Sequence, residues 1–414
     1  MKITLCVHNY YPSYGGSQLV IQNVAERLVA EHGDEVTVLT TDALDSPHRP
    51  NVKPIILKEE VINGVVVKRF PFIRFHIKIF TLLIKLGKKT NLYSTDLLSI
   101  MRNGPLSISM FKAIMSSDAD VIIGTSSPYT HMLYPLIKRK PTPFIYFGAV
   151  HFENKNNSEI PKIVLRAIKK SSAYIANTDY EKSILVYKGV DEKKIFSLGC
   201  GVDIELFENT DGSDIREKYN IKRAPLIGYI GRQASFKGID SLLYAMPEVW
   251  DKIPEAFLLV AGNETDFTFK IKEIIKSLPE TQQKRVIHIN FFDETEKAKL
   301  FNAIDIFVSV SNSESFGISY VEAWSCKKPV IGCDIEQVKS VISENEDGFI
   351  VAKTNHSELA SKIINLITDK SLAETMGLNG YKKVKEKYIW SKIVENYRKI
   401  CVGALEHKPH TALI

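Results

Sequence analysis

The chain has 414 residues, of which 44% are hydrophobic and 25% are charged, and its formal net charge is +6. This length favours two domains, because a single core rarely grows to that size, and the composition is that of a folded globular protein. The small positive excess favours anionic ligands but does not by itself indicate nucleic acid, so we expect no nucleic-acid partner.

The positions of the cysteines and the lengths of the apolar runs indicate the cellular compartment of the protein. The five cysteines are scattered and form no Cys-x-x-Cys pair, so neither a disulfide framework nor a zinc site is predicted, and a reducing compartment is favoured. The first residues, Met-Lys-Ile-Thr-Leu, are typical of a buried strand rather than of a signal peptide. No uninterrupted run of about eighteen apolar residues occurs, and we therefore expect a cytoplasmic protein without a transmembrane helix.

The beginning of the chain alternates between strand and helix patterns. Residues 3–7 are apolar, residues 18–31 carry apolar side chains at helical spacing, and residues 35–40 form the next apolar run. This strand-helix-strand order predicts a parallel sheet. Further strands are predicted at residues 65–69, 120–124, 144–147, 173–176 and 194–197.

A second series of strands follows a polar seam at residues 199–225. Two similar halves in tandem predict an α/β protein with two doubly wound domains that face each other across a cleft, and ligands of such sheets lie at the carboxyl ends of the strands. An amphipathic helix at residues 389–402 and a polar tail end the chain. The strands of the second series are predicted at residues 226–230, 256–260, 285–289, 304–309 and 329–331.

Two glutamates follow the strand at residues 304–309. Glu314 lies in the predicted strand-to-helix loop, and Glu322 lies about one turn into the helix that follows Gly317. A carboxylate there can accept hydrogen bonds from sugar hydroxyls, and the first N–H groups of the helix suit a phosphate or a sugar oxygen. The alternative is that Glu314 caps the helix and that Glu322 is a solvated helical residue. Spacing alone leaves both interpretations open.

A glycine-bounded loop with two cations follows the strand at residues 226–230. Gly231 and Gly238 flank it, and Arg232 and Lys237 lie within it. An arginine fork and a lysine point charge both suit a pyrophosphate, whose developing charge they would stabilise as it leaves. A surface loop with two solvated cations is the alternative.

Two further candidates are weaker signals. Gly15 and Gly16 form a turn that opens a helix and suits a phosphate, although neither a Gly-x-Gly-x-x-Gly pattern nor a P-loop is present. His151 follows the strand at residues 144–147, where it could bind a sugar or phosphate or could be structural.

Asp118 and Asp120 precede a strand, and we interpret them as structural and predict no metal site.

The segment 68–89 mixes apolar and basic residues and contains no acidic one. Such a composition suits peripheral contact with an anionic membrane. The alternative is a core helix whose basic side chains extend to solvent.

Taken together, these motifs resemble glycosyltransferase family 4, whose members have the GT-B fold and retain the anomeric configuration. Any one motif is modest evidence, but their order and spacing are specific. The resemblance extends over nearly the whole chain, through residues 12–16, 151, 201–203, 231–238, 259–262, 314–322, 328–330 and 388–390. It implies an N-terminal acceptor-side domain at residues 1–200, a nucleotide-sugar domain at residues 201–385, and a helix with a tail at residues 386–414 that crosses back to the first domain.

The resemblance also implies roles for individual residues. Arg232 and Lys237 would hold the donor diphosphate, Glu314 the transferred sugar and Glu322 the ribose. His151 would lie near the reacting sugar and the acceptor. The implied catalytic residues are His151, Arg232, Lys237 and Glu314. The implied donor-binding residues are Gly15, Gly16, Gly231, Arg232, Lys237, Asn290, Phe291, Glu314, Phe316, Gly317, Ile318 and Glu322.

The implied reaction is transfer of a hexosyl unit from a UDP- or GDP-sugar to a hydroxyl of a glycan or lipid-linked acceptor, by front-side attack and without a metal or other cofactor. Two departures bear on the donor. Asn290 stands where the family usually has glycine, and Glu336 with Gln337 stands where a Gly-Gly pair is usual. The alternatives on the same fold are a sugar-nucleotide epimerase, which would need a side-chain acid/base set, and a sugar-nucleotide-binding protein without activity.

Overall fold

The computed structural model describes residues 1–13, 15–44, 54–73, 76–90, 95–138, 142–148, 160–352 and 354–406. They form two compact units. The described residues before position 200 form the first unit together with Trp390–Glu406, and residues 200–389 form the second.

The first unit is built on a sheet of eight strands among the described residues. The strand order is β3-β4-β2-β1-β5-β6-β7-β8, and every neighbouring pair is parallel except β3 with β4. The strands are β1 (Lys2–Cys6), β2 (Glu35–Thr41), β3 (Glu59–Ile62), β4 (Val65–Phe70), β5 (Val121–Thr125), β6 (Phe144–Phe147), β7 (Ala173–Ala176) and β8 (Ile195–Ser197). The helices are α1 (Gly16–His32), α2 (His76–Thr90), α3 (Asp96–Asn103), α4 (Ile108–Ser116), α5 (Lys162–Lys170), α6 (Asp179–Tyr187) and α17 (Trp390–Glu406).

The second unit is built on six parallel strands in the order β11-β10-β9-β12-β13-β14. This is the order of dinucleotide-binding folds, in which the chain begins at the centre, grows to one side and then to the other. The strands are β9 (Leu226–Ile230), β10 (Phe257–Ala261), β11 (Val286–Ile289), β12 (Ile306–Ser309), β13 (Val330–Cys333) and β14 (Gly348–Val351). The helices are α7 (Ile204–Glu208), α8 (Ser213–Lys218), α9 (Ile239–Lys252), α10 (Thr268–Ser277), α11 (Glu280–Gln283), α12 (Lys297–Ala303), α13 (Ile318–Ser325), α14 (Glu336–Lys339), α15 (His356–Thr368) and α16 (Lys370–Lys383).

Burial on both faces explains why the central strands are continuous apolar runs. All five residues of β9 are buried, because helices cover a parallel sheet on both sides. Gly228 is needed within this strand, since a Cβ there would lie 2.4 Å from a methyl carbon of Ile304. In the first sheet, the central strand β5 is likewise buried at every residue.

The last helix, α17, packs against the first unit rather than against the second. One face is buried, including Trp390, Tyr397 and Cys401, and it contacts α1. Arg398 donates from Nε to Asp34 Oδ2 at 3.1 Å, and the same buried carboxylate pairs with the N-terminal ammonium at 2.7 Å. Asp34 therefore ties the N-terminus to the last helix of the described residues.

The prediction of an α/β fold with two Rossmann-like sheets is confirmed. Two strands had not been predicted, β3 and β14, and both are short. Asp118 and Asp120 bind Lys2 through its ammonium and its N–H, each at 2.8 Å, which agrees with a structural interpretation. No helix of the described residues is long and apolar enough to span a membrane.

Candidate active site

The candidate site lies in the second unit, at the carboxyl edge of its sheet. The chain leaves β9 toward β10 on one side and returns through β12 on the other, so the loops after β9 and β12 begin side by side. In open α/β sheets this reversal of direction opens a crevice in which ligands bind. The two loops, residues 231–238 and 310–317, carry six of the thirteen site residues predicted from the sequence.

Gln233 anchors the loop after β9. Its side chain is completely buried, and its Nε2 donates to the carbonyl oxygens of Gly262 at 2.8 Å and Ile289 at 3.2 Å. Its Oε1 lies 3.0 Å from Nε2 of His288, a residue of β11. One amide therefore connects the ends of three neighbouring strands, and this fixes the path of the cationic loop.

The loops after β9 and β10 also contact each other through their main chains, at two glycines. A Cβ at Gly262 would lie 1.7 Å from the carbonyl oxygen of Gly231. Only glycine allows two main chains to come this close. The requirement explains the glycine that directly follows β10.

Lys237 and Glu314 form an ion pair across the two loops. Nζ of Lys237 lies 2.6 Å from Oε1 of Glu314, and the Glu314 side chain is only 8% exposed. The cations of Arg232 and Lys237 lie 5.6 and 5.4 Å from the centre of the Phe236 ring, within range of a cation–π contact. The structure thus brings the predicted diphosphate cations and the predicted sugar-binding carboxylate into one cluster.

Backbone contacts hold the second loop against the first. The carbonyl oxygen of Phe236 accepts from Asn312 N at 2.9 Å and from Ser311 Oγ at 3.1 Å. Gly238 turns the chain into α9 with φ of 70°, and a Cβ there would lie 2.3 Å from the Val310 carbonyl oxygen. The Lys237–Glu314 pair therefore has a rigid base.

Gly317 begins helix α13 in a left-handed conformation, with φ of 94°. The first N–H groups of a helix have no partner within it, so those of Gly317, Ile318 and Ser319 form a set of donors at the edge of the sheet. Phe316 is buried just before them and packs edge-on against Tyr388, with 5.3 Å between ring centres. A helix start of this kind suits an anionic or hydroxyl oxygen.

Two buried aromatic residues keep α13 in place. Tyr320 donates its hydroxyl to the carbonyl oxygen of Ser309, at the end of β12, at 2.5 Å. Trp324 donates from Nε1 to the Asp347 carbonyl oxygen at 2.9 Å, and its ring lies so close to Gly380 that a Cβ there would be 1.9 Å away. The start of α13 is thus fixed relative to the sheet.

Glu322, the second predicted glutamate, is buried in α13 and is not a solvated helical residue. It is 3% exposed, and its Oε1 lies 2.6 Å from Nζ of Lys297, at the beginning of α12. Burial raises the pKa of Glu322, and the cation of Lys297 opposes this rise. Burial alone would lower the pKa of Lys297, but the attraction of Glu322 and Glu294 outweighs it and leaves that pKa raised.

Asn290 and Phe291 follow β11 at the same edge of the sheet. The Phe291 ring is 71% exposed. Oδ1 of Asn290 is buried and has no hydrogen-bond partner among the described residues. The loop thus offers an open aromatic face next to an amide with spare hydrogen-bonding capacity.

The remaining predicted residues are not part of this cluster. Gly15 and Gly16 lie in the first unit, at the beginning of α1, and both are exposed. His151 lies outside the described residues, so its role stays a prediction. Within the described part of the chain, no group of three or more histidine, cysteine, aspartate or glutamate side chains is arranged to hold a metal ion.

Sequence reasoning missed two residues that organise the site. Gln233 is an unremarked member of the cationic loop, and Lys297 opens a helix in a run of charged residues. Neither carries a local signal, because a buried amide and a buried lysine look like surface residues until their partners are known. The closer carboxylate partner of Lys297, Glu322, lies on another helix.

Two family profiles match consecutive parts of the chain. Glycosyltransferase Family 4 matches residues 14–206, and Glycosyl transferases group 1 matches residues 211–383. With two Rossmann-like sheets and a cationic loop at the switch point of the second, the chain belongs to the GT-B glycosyltransferases.

Individual relatives agree with this membership. The capsular polysaccharide biosynthesis glycosyltransferase CapM of Staphylococcus aureus is 31% identical over 217 residues, which are 50% of this chain and 56% of CapM, so the match spans little more than half of that relative. N-acetyl-alpha-D-glucosaminyl L-malate synthase of Bacillus anthracis is 24% identical over 95% of this chain and 96% of its own. Anabaena Alr3699/HepE, solved in complex with UDP-glucose, has the same fold, with a TM-score of 0.70 and 18% identity over 96% of this chain and 98% of its own.

Proposed function

We propose that the protein is a retaining glycosyltransferase that moves a hexosyl unit from a UDP- or GDP-sugar to a hydroxyl of a glycan or lipid-linked acceptor, in the assembly of cell-surface polysaccharide or glycolipid. The observation that carries the proposal is the Lys237–Glu314 pair, 2.6 Å apart, at the switch point of the second sheet. A diphosphate needs cations and a sugar needs hydroxyl acceptors, and the pair presents one of each.

The surrounding groups support the same assignment. Arg232 is exposed beside Lys237 and could add a planar fork to the diphosphate contacts. The N–H donors at the start of α13 could bind the transferred sugar or a phosphate oxygen. Glu314 can accept from a sugar hydroxyl while it is held by Lys237, since an ionised carboxylate has several acceptor positions.

The proposed chemistry is a front-side displacement. The acceptor oxygen forms a bond to the anomeric carbon as the bond from that carbon to the diphosphate oxygen breaks, and the acceptor proton passes to the departing diphosphate. Lys237 and Arg232 would stabilise the charge that develops on the leaving group, which is the contribution expected of preorganised cations. The route retains configuration and requires no side-chain base, so Glu314 and Glu322 act as binding groups.

The relatives are consistent with this donor and acceptor class. CapM is named for capsular polysaccharide biosynthesis, and HepE was solved with UDP-glucose. Because the first match covers half of the chain and the second is 18% identical, they support a nucleotide-sugar donor and a glycan acceptor as proposals for this chain.

Turnover of nucleotide sugars tests the assignment. A thermal-shift panel of UDP- and GDP-sugars identifies the donor, because a bound ligand raises the apparent stability. Turnover of that donor with a glycolipid acceptor extract is then compared for the wild type, Glu314→Gln and Asp240→Asn. Asp240 is a matched control, because this carboxylate of α9 also pairs with a lysine, Lys270 of α10, at 3.4 Å. We expect Glu314→Gln to lose at least about 100-fold in turnover, with Asp240→Asn close to wild type.

Wild-type turnover by Glu314→Gln would contradict the assignment. A product whose anomeric proton coupling shows inversion would contradict the retaining mechanism alone. Donor binding without transfer to any acceptor extract would instead favour a binding protein.

We further propose that α2 brings the enzyme to an anionic membrane at the cytoplasmic face. Lys78 and Lys85 are exposed and have no ion-pair partner among the described residues, while Ile79 and Leu82 are 49% and 59% exposed on the same helix. The basic run of residues 68–89 is not continuous, however. Lys68 and Arg69 belong to β4, where they pair with glutamates of β3, so the proposal rests on the helical part of the run.

Sedimentation with phosphatidylglycerol vesicles tests the membrane proposal. Binding should weaken with added salt and in Lys78→Glu/Lys85→Glu, because surface attraction to anionic lipid is screened and charge-dependent. Lys169→Glu/Lys170→Glu, on the exposed end of α5, is the control with the same charge change. Equal sedimentation of both double variants would remove α2 as the contact.

A further inference from the structure

We propose that Lys297 is a positioning residue for donor binding. It holds Glu322 in its ionised form with one carboxylate oxygen engaged, and it leaves the other oxygen to accept a hydrogen bond from a ribose hydroxyl of the donor nucleotide. This inference rests on the proposed function, because it assumes that a nucleoside diphosphate binds at this edge of the sheet.

The two oxygens of the Glu322 carboxylate have different surroundings. Oε1 lies 2.6 Å from Nζ of Lys297. Oε2 is buried and has no hydrogen-bond partner among the described residues. An unpaired buried carboxylate oxygen is costly, because it has lost its water and gained nothing in return. A ligand that donates a hydroxyl to Oε2 would remove that cost.

Lys297 is held in the orientation that this role needs. Its side chain is 16% exposed, and it contacts a second carboxylate, Glu294, at a longer distance of 3.5 Å. The short turn before it is closed by a capping box, in which Asp293 and Glu296 satisfy each other's backbone N–H groups. The ammonium therefore approaches Glu322 from a fixed turn.

The pair stands at the right place along the site. The loop with Asn290 and Phe291 leads through a short turn, residues 294–296, to Lys297 at the beginning of α12. The helix with Glu322, α13, follows the loop with Glu314. In a nucleotide sugar the ribose connects the base to the diphosphate. A hydroxyl acceptor on the helix that follows the Glu314 loop, paired with a lysine that follows the aromatic loop, therefore suits the ribose.

The electrostatics explain why a lysine is needed. The titratable groups that act on Glu322 are Lys297 and Glu294, and Cys326 lies close enough at the end of α13 to be influenced by it. Burial raises the pKa of Glu322 and the negative charge of Glu294 adds to the rise, so Lys297 alone opposes protonation. Without Lys297, the carboxyl group would take up a proton and lose acceptor strength toward a hydroxyl.

Calorimetry with full-length protein tests the inference. The ligands are UDP and GDP and their 2′-deoxy and 3′-deoxy forms, and the variants are Lys297→Met and Glu322→Gln. We expect the wild type to prefer the ribonucleotide over at least one deoxy form by about tenfold or more. Lys297→Met should lose most of this preference and regain part of it as the pH is raised, because a higher pH favours the ionised form of Glu322. Glu322→Gln should lose the preference at every pH.

Two further variants keep the test independent of folding. Lys297→Arg retains the positive charge and should retain the preference. Lys299→Met is the matched control, since Lys299 lies on the same helix and pairs with the exposed Asp214 at 2.6 Å. It should behave as the wild type.

An undiminished ribose preference in Lys297→Met would overturn the inference while leaving the proposed function intact. A preference that is lost but does not return at high pH would also overturn it, since the lysine would then be merely structural. If the wild type bound neither diphosphate, the proposed function would fail, and this inference with it.

Discussion

The loops after β1 and β9 occupy the same topological position in the two sheets, yet their charges differ. Residues 7–17, after β1, contain no lysine, arginine or carboxylate. Arg69 of β4 contacts that loop: its Nη2 donates to the Tyr11 carbonyl oxygen at 2.6 Å, and its side chain is fully buried. The loop after β9 carries Arg232 and Lys237 itself.

This difference shows how one topology serves two purposes. The switch point places both loops at the carboxyl edge of a sheet, which determines where a ligand can bind. A buried cation fixes the backbone of the first loop, whereas the second loop carries its two cations itself. Side-chain charge, rather than topology, therefore distinguishes the two loops.

Replacement of Arg69 by methionine should have the largest effect, and it falls on stability. The change leaves Glu60 and two backbone carbonyl groups without their buried partner. We expect the free energy of unfolding to fall by about 3 kcal/mol, measured by urea denaturation. Lys68→Met is the control, because Lys68 forms an exposed pair with Glu59 at 3.3 Å and should cost less than about 1 kcal/mol.

The UDP affinity of Arg69→Met tests the same contrast between the loops after β1 and β9. It should stay within about twofold of wild type in Arg69→Met, since Arg69 fixes a loop of the first unit and the proposed diphosphate cations belong to the second. A large loss of UDP affinity in Arg69→Met would show that the two loops are coupled, and the contrast between them would fail.

Replacement of Lys237 by methionine should weaken UDP binding by about 100-fold, equivalent to about 2.7 kcal/mol. The variant removes a cation and leaves the buried Glu314 carboxylate uncompensated beside the diphosphate. Calorimetry measures the change, with Lys270→Met, which disrupts an exposed pair on α10, as the control. If both variants bound UDP equally, Lys237 would not be a diphosphate ligand.

Acid should destabilise the first unit through His131, with the smallest effect of the three. His131 is fully buried, its Nε2 donates to the Thr125 carbonyl oxygen at 2.8 Å, and burial lowers its pKa to about 4. An unfolded histidine has a pKa of about 6.5, so the unfolded state binds the proton first as the pH falls. Stability from this group is therefore complete above about pH 6.5 and declines by about 2 kcal/mol between pH 7 and pH 5.

Urea denaturation at both pH values measures this decline. His131→Gln should flatten the difference between pH 7 and pH 5, whereas His356→Gln, at the half-exposed start of α15, should not. An unchanged pH dependence in His131→Gln would assign the acid sensitivity to other groups.

The two strands that sequence analysis missed, β3 and β14, each lie at an edge of their sheet. Leu226–Ile230 and Phe144–Phe147 are continuous apolar runs because both faces of a parallel strand are covered. Glu59–Ile62 is the antiparallel edge strand, and its alternation of exposed and half-buried residues leaves no apolar run. Edge strands owe their conformation to one neighbour, so local pattern is a poor guide to them.

The site shows a similar division. The glycines and cations of the two loops, together with Glu314, stand out in the sequence, because residue types that suit phosphate and sugar oxygens follow a strand there. The pairing of Lys237 with Glu314, 77 residues apart, could not. Neither could Lys297 with Glu322 or the buried Gln233, since each depends on which helices and strands become neighbours.

The Glu314–Glu322 element illustrates both contributions. The sequence alone determined the residue types, their place after a strand and the glycine that begins a helix, because local conformation and hydrogen-bonding chemistry follow from short-range order. Only the tertiary structure decided that both carboxylates are buried, that each has its own lysine at 2.6 Å and that one oxygen of Glu322 is left without a partner. The physical reason is that burial and ion pairing depend on packing between distant segments, and packing has no local signature.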